Sequence, residues 1–159
     1  RMHIAPPSAA SHPLLIDPQP SYLEGWRWMV GEEATLVAAS VAGDLFFRDR
    51  EGRVHWIDTG AGSVQTVADD AASFARKLLT GEFSGDFLLE SAVNDALRAH
   101  GPFGAGRCLG FKTLPVFGGD YGGANRVPMS ANEHFAFTGH VHRKIDGLPD
   151  GTAVELETL

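Results

Sequence analysis

The chain has 159 residues, 43% of them hydrophobic, and 13 basic against 20 acidic side chains leave it at −7. That length fits one domain, which at this size buries roughly 70% of the surface its unfolded chain exposes. Mean hydropathy is −0.08, and no apolar run approaches the ~20 residues needed to cross a bilayer. The acidic balance argues against direct nucleic-acid binding, which rests on Lys and Arg neutralising phosphate, and makes a basic protein the natural complement. One cysteine, Cys108, cannot close an internal disulfide; it reads as a small buried hydrophobe, and its use favours a reducing, cytoplasmic setting. The start, Arg1-Met2-His3-Ile4, carries no secretion-signal pattern, and Arg1 ahead of Met2 reads as an added residue.

Residues 1–20 hold five of the nine prolines and show neither helical nor strand periodicity, which predicts an extended arm before a single domain over 21–159. Tyr22, Leu23, Trp26, Met29 and Val30 fall at helical spacing up to Gly31. Thr35 to Val41 reads as a strand covered on both faces. Leu45 to Arg48 and Arg53 to Ile57 form a hairpin across Asp49-Arg50-Glu51-Gly52, and Val64 to Val67 is a further strand.

Asp69 or Asp70 caps a helix whose inward stripe is Phe74, Ala75, Leu78 and Leu79, with Gly81 as its C-terminal stop. A second helix is expected from about Asp86 to His100, burying Leu89, Val93, Ala96 and Leu97 and ending at Gly101-Pro102. Arg107 to Lys112 and Leu114 to Phe117 read as strands. Gly118-Gly119, then Gly122-Gly123 and Asn125, form a sharp corner. Ser130 to Glu133 is a capping box that opens a helix at Ala131, with Phe137, Val141 and Ile145 on one face and Gly147 as the stop. Thr152 to Leu156 closes the chain as a strand. Hairpins first and helices later, without strand-helix-strand alternation, predict an α+β fold with a mostly antiparallel sheet and helices packed mainly on one face.

Chemistry is sparse in this pattern. His134, His140 and His142 invite a metal, but on a helix His140 and His142 point about 160° apart and His134 about 120° from His140, so no pair shares a face. Gly104-Ala105-Gly106 lacks the third glycine of a dinucleotide fingerprint, and Gly118 to Gly123 lacks the Lys-Ser/Thr of a phosphate loop. Neither a cofactor nor an enzymatic role is expected. Glu82, Asp86 and Glu90 recur at four-residue intervals, and the spacing predicts that Asp86 and Glu90 share an outer strip, either a solvated face or a docking patch for a cationic partner. Asp120 and Tyr121, projecting from the corner, form a second candidate patch.

Several short stretches together carry a resemblance: Trp26-Arg27-Trp28, Gly43-Asp44-Leu45-Phe46, Gly52 to Thr59, Pro115 to Tyr121 with Asn125, and Leu148 to Thr152. In their order and spacing the chain resembles the C-terminal domain family of type VI secretion immunity proteins, often found beside a GAD-like domain. The resemblance implies an intracellular antidote that binds and blocks a cognate toxin effector, frequently a DNA-degrading one. Gly118, Gly119 and Asn125 are carried over as structural positions, while Ser130 and Glu133 are structural through the capping box alone. The alternative is a small-molecule-binding or enzymatic domain that uses the Gly118 to Gly123 corner with Tyr121 and His134.

Overall fold

The computed structural model describes residues 12–155. An antiparallel meander of five strands, β1 (Leu15–Ile16), β2 (Thr35–Ser40), β3 (Leu45–Arg48), β4 (Val54–Asp58) and β5 (Ser63–Ala68), runs in sequence order. A second antiparallel pair joins β6 (Arg107–Phe111) to β7 (Arg126–Ser130). Five helices complete the described chain: α1 (Arg27–Val30), α2 (Ala71–Lys77), α3 (Gly81–Phe87), α4 (Glu90–His100) and α5 (Ala131–Ile145). The α+β class with antiparallel sheets is the one expected from the sequence.

Side chains on a strand alternate between faces, and β3 shows what that does here. Phe46 points to one side, where it meets Phe74 of α2 and Phe83 of α3, with Leu88 and Val93 completing the cluster. Leu45 and Phe47 point to the other, joining Tyr22, Leu23, Trp26 and Phe135 of α5. The centre of the sheet is therefore buried on both faces, with α2, α3 and α4 on one and α5 on the other, while the outer part of β5 is exposed. The end of the N-terminal arm takes part: Leu14 and Leu15 are buried, and β1 pairs with Ala39 and Ser40.

The hairpin forms at Asp49 to Gly52, where Asp49 N–H donates to Arg53 O at 2.9 Å and Gly52 takes a φ of 86°. The Tyr22 to Val30 segment is helical but in two pieces, a 3-10 stretch over Pro20–Trp26 leading into α1. Asp70 caps α2, its Oδ1 accepting from Ser73 N–H at 2.7 Å.

Several local expectations need correction. Leu114 to Phe117 is not a strand: Pro115, with φ locked and no N–H, opens a 3-10 turn over Pro115–Phe117 instead. Gly81 does not stop α2; it begins α3, capped by Thr80, whose Oγ1 accepts from Phe83 N–H at 3.2 Å. The helix expected from Asp86 to His100 is two helices, because Leu89 adopts a left-handed φ of 51° between α3 and α4 while Leu88 is fully buried. Leu79, assigned inward, is 76% exposed, and Ala75 of the same stripe is exposed as well. Of the expected terminal strand, residues 152–155 are irregular, and Leu156 lies outside the described residues. The strand β7 has no counterpart in the sequence reading; Pro128 sits in it opposite Leu109, in a pair that has no third strand among the described residues.

Candidate functional site

The residues singled out from the sequence fall in two regions, the surface of α3 and α4 and the glycine corner. On α3, Glu82 and Asp86 are exposed and one turn apart, lining a cleft of about 430 Å³ together with Gln65 and Thr66 of β5. Glu90 is also exposed but opens α4, beyond the left-handed residue Leu89. The break separates Asp86 from Glu90, so the single outer strip expected of one continuous helix does not exist. Glu90 instead borders a second, apolar cavity on the opposite side of α3. The three carboxylates bracket α3.

The corner is held from within. Gly118 takes a φ of 101°, and a Cβ on Gly119 would collide with Thr113 O and the Asn125 amide. Asn125 serves as the clamp: its Nδ2 donates to Thr113 O at 2.8 Å and Asp120 O at 2.7 Å, while its Oδ1 accepts from Thr113 N–H at 3.0 Å. Asp120 is exposed, its Oδ1 accepting from Gly122 N–H at 2.9 Å. Tyr121 turns inward: its hydroxyl donates to the Asp58 carboxylate, 3.1 Å from Oδ2, and its ring stands edge-on to Phe111. Ser130 Oγ accepts from Glu133 N–H at 3.3 Å, the helix-opening bond expected of the capping box.

Behind the corner lies a buried polar network that sequence reading did not assemble. Asp44 and Asp58 stand at the same end of β3 and β4, and Asp44 Oδ1 accepts from Thr59 N–H at 3.0 Å. Arg126 is 1% exposed; its Nη1 donates to Ala42 O at 2.8 Å, its Nε to Tyr121 O at 3.2 Å, and its guanidinium lies 3.9 Å over the Phe111 ring. His134 Nε2 lies 2.8 Å from Gly43 O, and a carbonyl only accepts, so this nitrogen carries the proton. His142 Nε2 donates to Thr59 O at 2.9 Å by the same logic. Gly43, at a φ of 91°, is what admits His134: a Cβ there would lie 2.6 Å from its Nε2.

Burial sets the protonation of this network. Loss of solvent, reinforced by the Asp58 charge, pushes the Asp44 carboxyl from its ordinary value of 3.8 up to about 7. His134 is driven down to about 4, chiefly by burial, and His142 is lowered for the same reason. Tyr121 is raised by burial and then by the Asp58 charge, so it stays a neutral donor. Burial likewise pushes the Cys108 thiol up to about 12, as befits an inert core residue.

These groups are directed at backbone carbonyls and at one another, which makes the network a brace for the corner. Tyr121 and His134, the residues on which a small-molecule reading depends, are both engaged in it. His140 does not join: it borders a separate pocket with Arg27, Trp28 and Arg143. Among the described residues no three His, Cys, Asp or Glu side chains converge as metal ligands, and no helix there is long and apolar enough to cross a membrane.

Asp44, Asp58 and Thr59 do carry a faint sequence signal, as polar residues closing apolar strand patterns. Arg126 is preceded by the glycine-rich corner and gives none.

Residues 68–142, from the last residue of β5 into the last turns of α5, match the family described as T6SS immunity protein Tdi1, C-terminal. The resemblance to type VI secretion immunity proteins is thus borne out over that segment. It includes Pro115 to Tyr121 and Asn125, whereas Trp26 to Trp28, Gly43 to Phe46, Gly52 to Thr59 and Leu148 to Thr152 lie outside it. No curated protein matches the chain.

Proposed function

From the family match over residues 68–142 we infer that this protein is an intracellular immunity protein, which neutralises a cognate type VI toxin by stoichiometric binding and not by catalysis. The observation that carries the reading is where the match falls. It begins at Ala68 and takes in all of α2, α3 and α4, so the exposed carboxylates Glu82, Asp86 and Glu90 belong to the matched unit. An acidic face of this kind suits a cationic partner, since complementary potential speeds encounter and sets register. A nuclease is the natural target, because its substrate groove must be basic to hold nucleic acid, and an acidic domain covering that groove excludes the substrate. Asp120 and the exposed part of Tyr121 form a second contact patch, presented by the braced corner.

The test is co-expression with the product of the adjacent gene, the proposed toxin. Survival of cells that die with the toxin alone, together with a complex that co-purifies, supports the reading. Cell death with no complex overturns it.

A further inference from the structure

The apolar cavity on the far side of α3 plays no part in the reading above beyond its neighbour Glu90. It has a volume of about 550 Å³ and lies between α2, α3, β2 and the end of the N-terminal arm. Phe74 and Leu78 of α2 and Val37 of β2 give it apolar walls, and Leu79 stands at its edge, 76% exposed. His12 fixes the arm beside it: one ring nitrogen, Nε2, donates to Leu78 O at 3.0 Å and the other accepts from Leu14 N–H at 3.1 Å. A leucine so exposed beside an open apolar cavity is an arrangement that water disfavours and a partner would relieve.

The charges around it say what that partner is. Glu90 borders the cavity, and Glu82 and Asp86 line the cleft across α3, with Thr80 common to both depressions. Lys77 shares that cleft, its Nζ donating to Val67 O at 2.6 Å; an apolar recess with one exposed carboxylate at its rim and two more across α3 complements an apolar side chain with Lys or Arg on either side of it. We propose that this cavity is the anchor site for the toxin: it receives a large apolar side chain, leucine, methionine or aromatic, from a basic segment of that protein, while Glu82, Asp86 and Glu90 pair with the flanking cations. The proposal rests on the immunity reading and names the contact through which it acts. Energy in such contacts concentrates in one buried apolar anchor, with the charges around it contributing chiefly to rate and orientation.

The experiment uses the full chain and the product of the adjacent gene, the proposed toxin, inactivated at a catalytic residue, with affinity measured by titration calorimetry. Leu79→Glu removes the exposed apolar edge, and Ala75→Phe fills the cavity from an exposed position on α2. Each is expected to weaken binding at least tenfold at unchanged thermal stability, while Leu148→Glu, at another exposed leucine, leaves it within twofold. Raising the salt concentration is expected to slow association of the wild-type protein far more than it speeds dissociation.

Tight toxin binding that neither Leu79→Glu nor Ala75→Phe disturbs overturns the anchor and leaves the immunity reading standing. No binding by the wild-type chain overturns both. A self-associated wild-type protein that Leu79→Glu converts to monomer assigns the cavity to a second copy. Reactivity of Ala75→Cys toward a thiol reagent that appears only on removal of residues 1–11 assigns it to the chain's own start. Either of these last results overturns the proposal.

Discussion

The Tyr121 hydroxyl donates to the Asp58 carboxylate at 3.1 Å, joining the glycine corner to the end of β4 across 63 residues of sequence. Asp58 also accepts from Gly60 and Ala61 N–H, at 3.0 and 3.1 Å, so the carboxylate is already fixed when the tyrosine reaches it. Removing the hydroxyl in Tyr121→Phe leaves a buried acceptor short of one donor, at a cost of roughly 1–2 kcal/mol. Equilibrium denaturation should show that loss, and amide exchange should quicken at residues 118–122. Stability equal to wild type would mean that the bond does not hold the corner.

Gly43 and Gly52 both take positive φ, 91° and 86°, but only Gly43 is crowded: a Cβ there meets Leu109 O and His134, whereas Gly52 faces open space. Substitution by alanine costs ~1–2 kcal/mol at either for the backbone alone. At Gly43 overpacking adds about 1–3 kcal/mol. The unfolding free energies of Gly43→Ala and Gly52→Ala, from urea denaturation, should therefore differ by at least about 1 kcal/mol, with Gly43→Ala the weaker. Equal losses would show that His134 yields without cost.

Asp44 and His134 pull stability in opposite directions as pH changes. The raised Asp44 carboxyl gives stability that is full below about pH 4 and is lost as pH rises toward 7. The lowered His134 gives stability that is full above about pH 6.5 and is lost as pH falls toward 4. Between those limits the two offset each other. Asp44→Asn keeps an acceptor for Thr59 N–H but removes one side of the balance, so acidification from pH 6.5 to 4 should cost the variant at least ~1 kcal/mol more than wild type. Parallel pH profiles for the two proteins would contradict this.

The hairpin at Asp49 to Gly52 and the start of α5 at Ser130 were legible because their signals are local, a turn glycine and a capping serine. Leu114 to Phe117 was misread because its apolar composition suits a strand while Pro115 dictates a turn. The break at Leu89 was not legible at all: the apolar spacing runs smoothly from α3 into α4, and it is burial of Leu88 that accompanies a left-handed residue that propensity alone disfavours. The braced corner failed for a different reason. Asp44, Asp58, Tyr121, Arg126 and His134 are scattered over 90 residues, and nothing local marks them as partners. The acidic trio could be found by its spacing, but its division across α3 could not.

Charge reversal on the acidic face reads out the interface. Glu82→Lys with Asp86→Lys, both exposed on α3, should weaken toxin binding at least tenfold, or ~1.4 kcal/mol, with an intact fold by circular dichroism. Affinity unchanged by the double reversal removes this face from the interface.

The most direct measurement mixes the purified chain with the product of the adjacent gene, the proposed toxin, and follows its toxic activity as the ratio of the two is raised. The account expects activity to fall linearly to zero near one chain per toxin, with a complex of that composition recovered by size-exclusion chromatography. Activity that persists at a large excess of the chain, with the two proteins eluting separately, would contradict it.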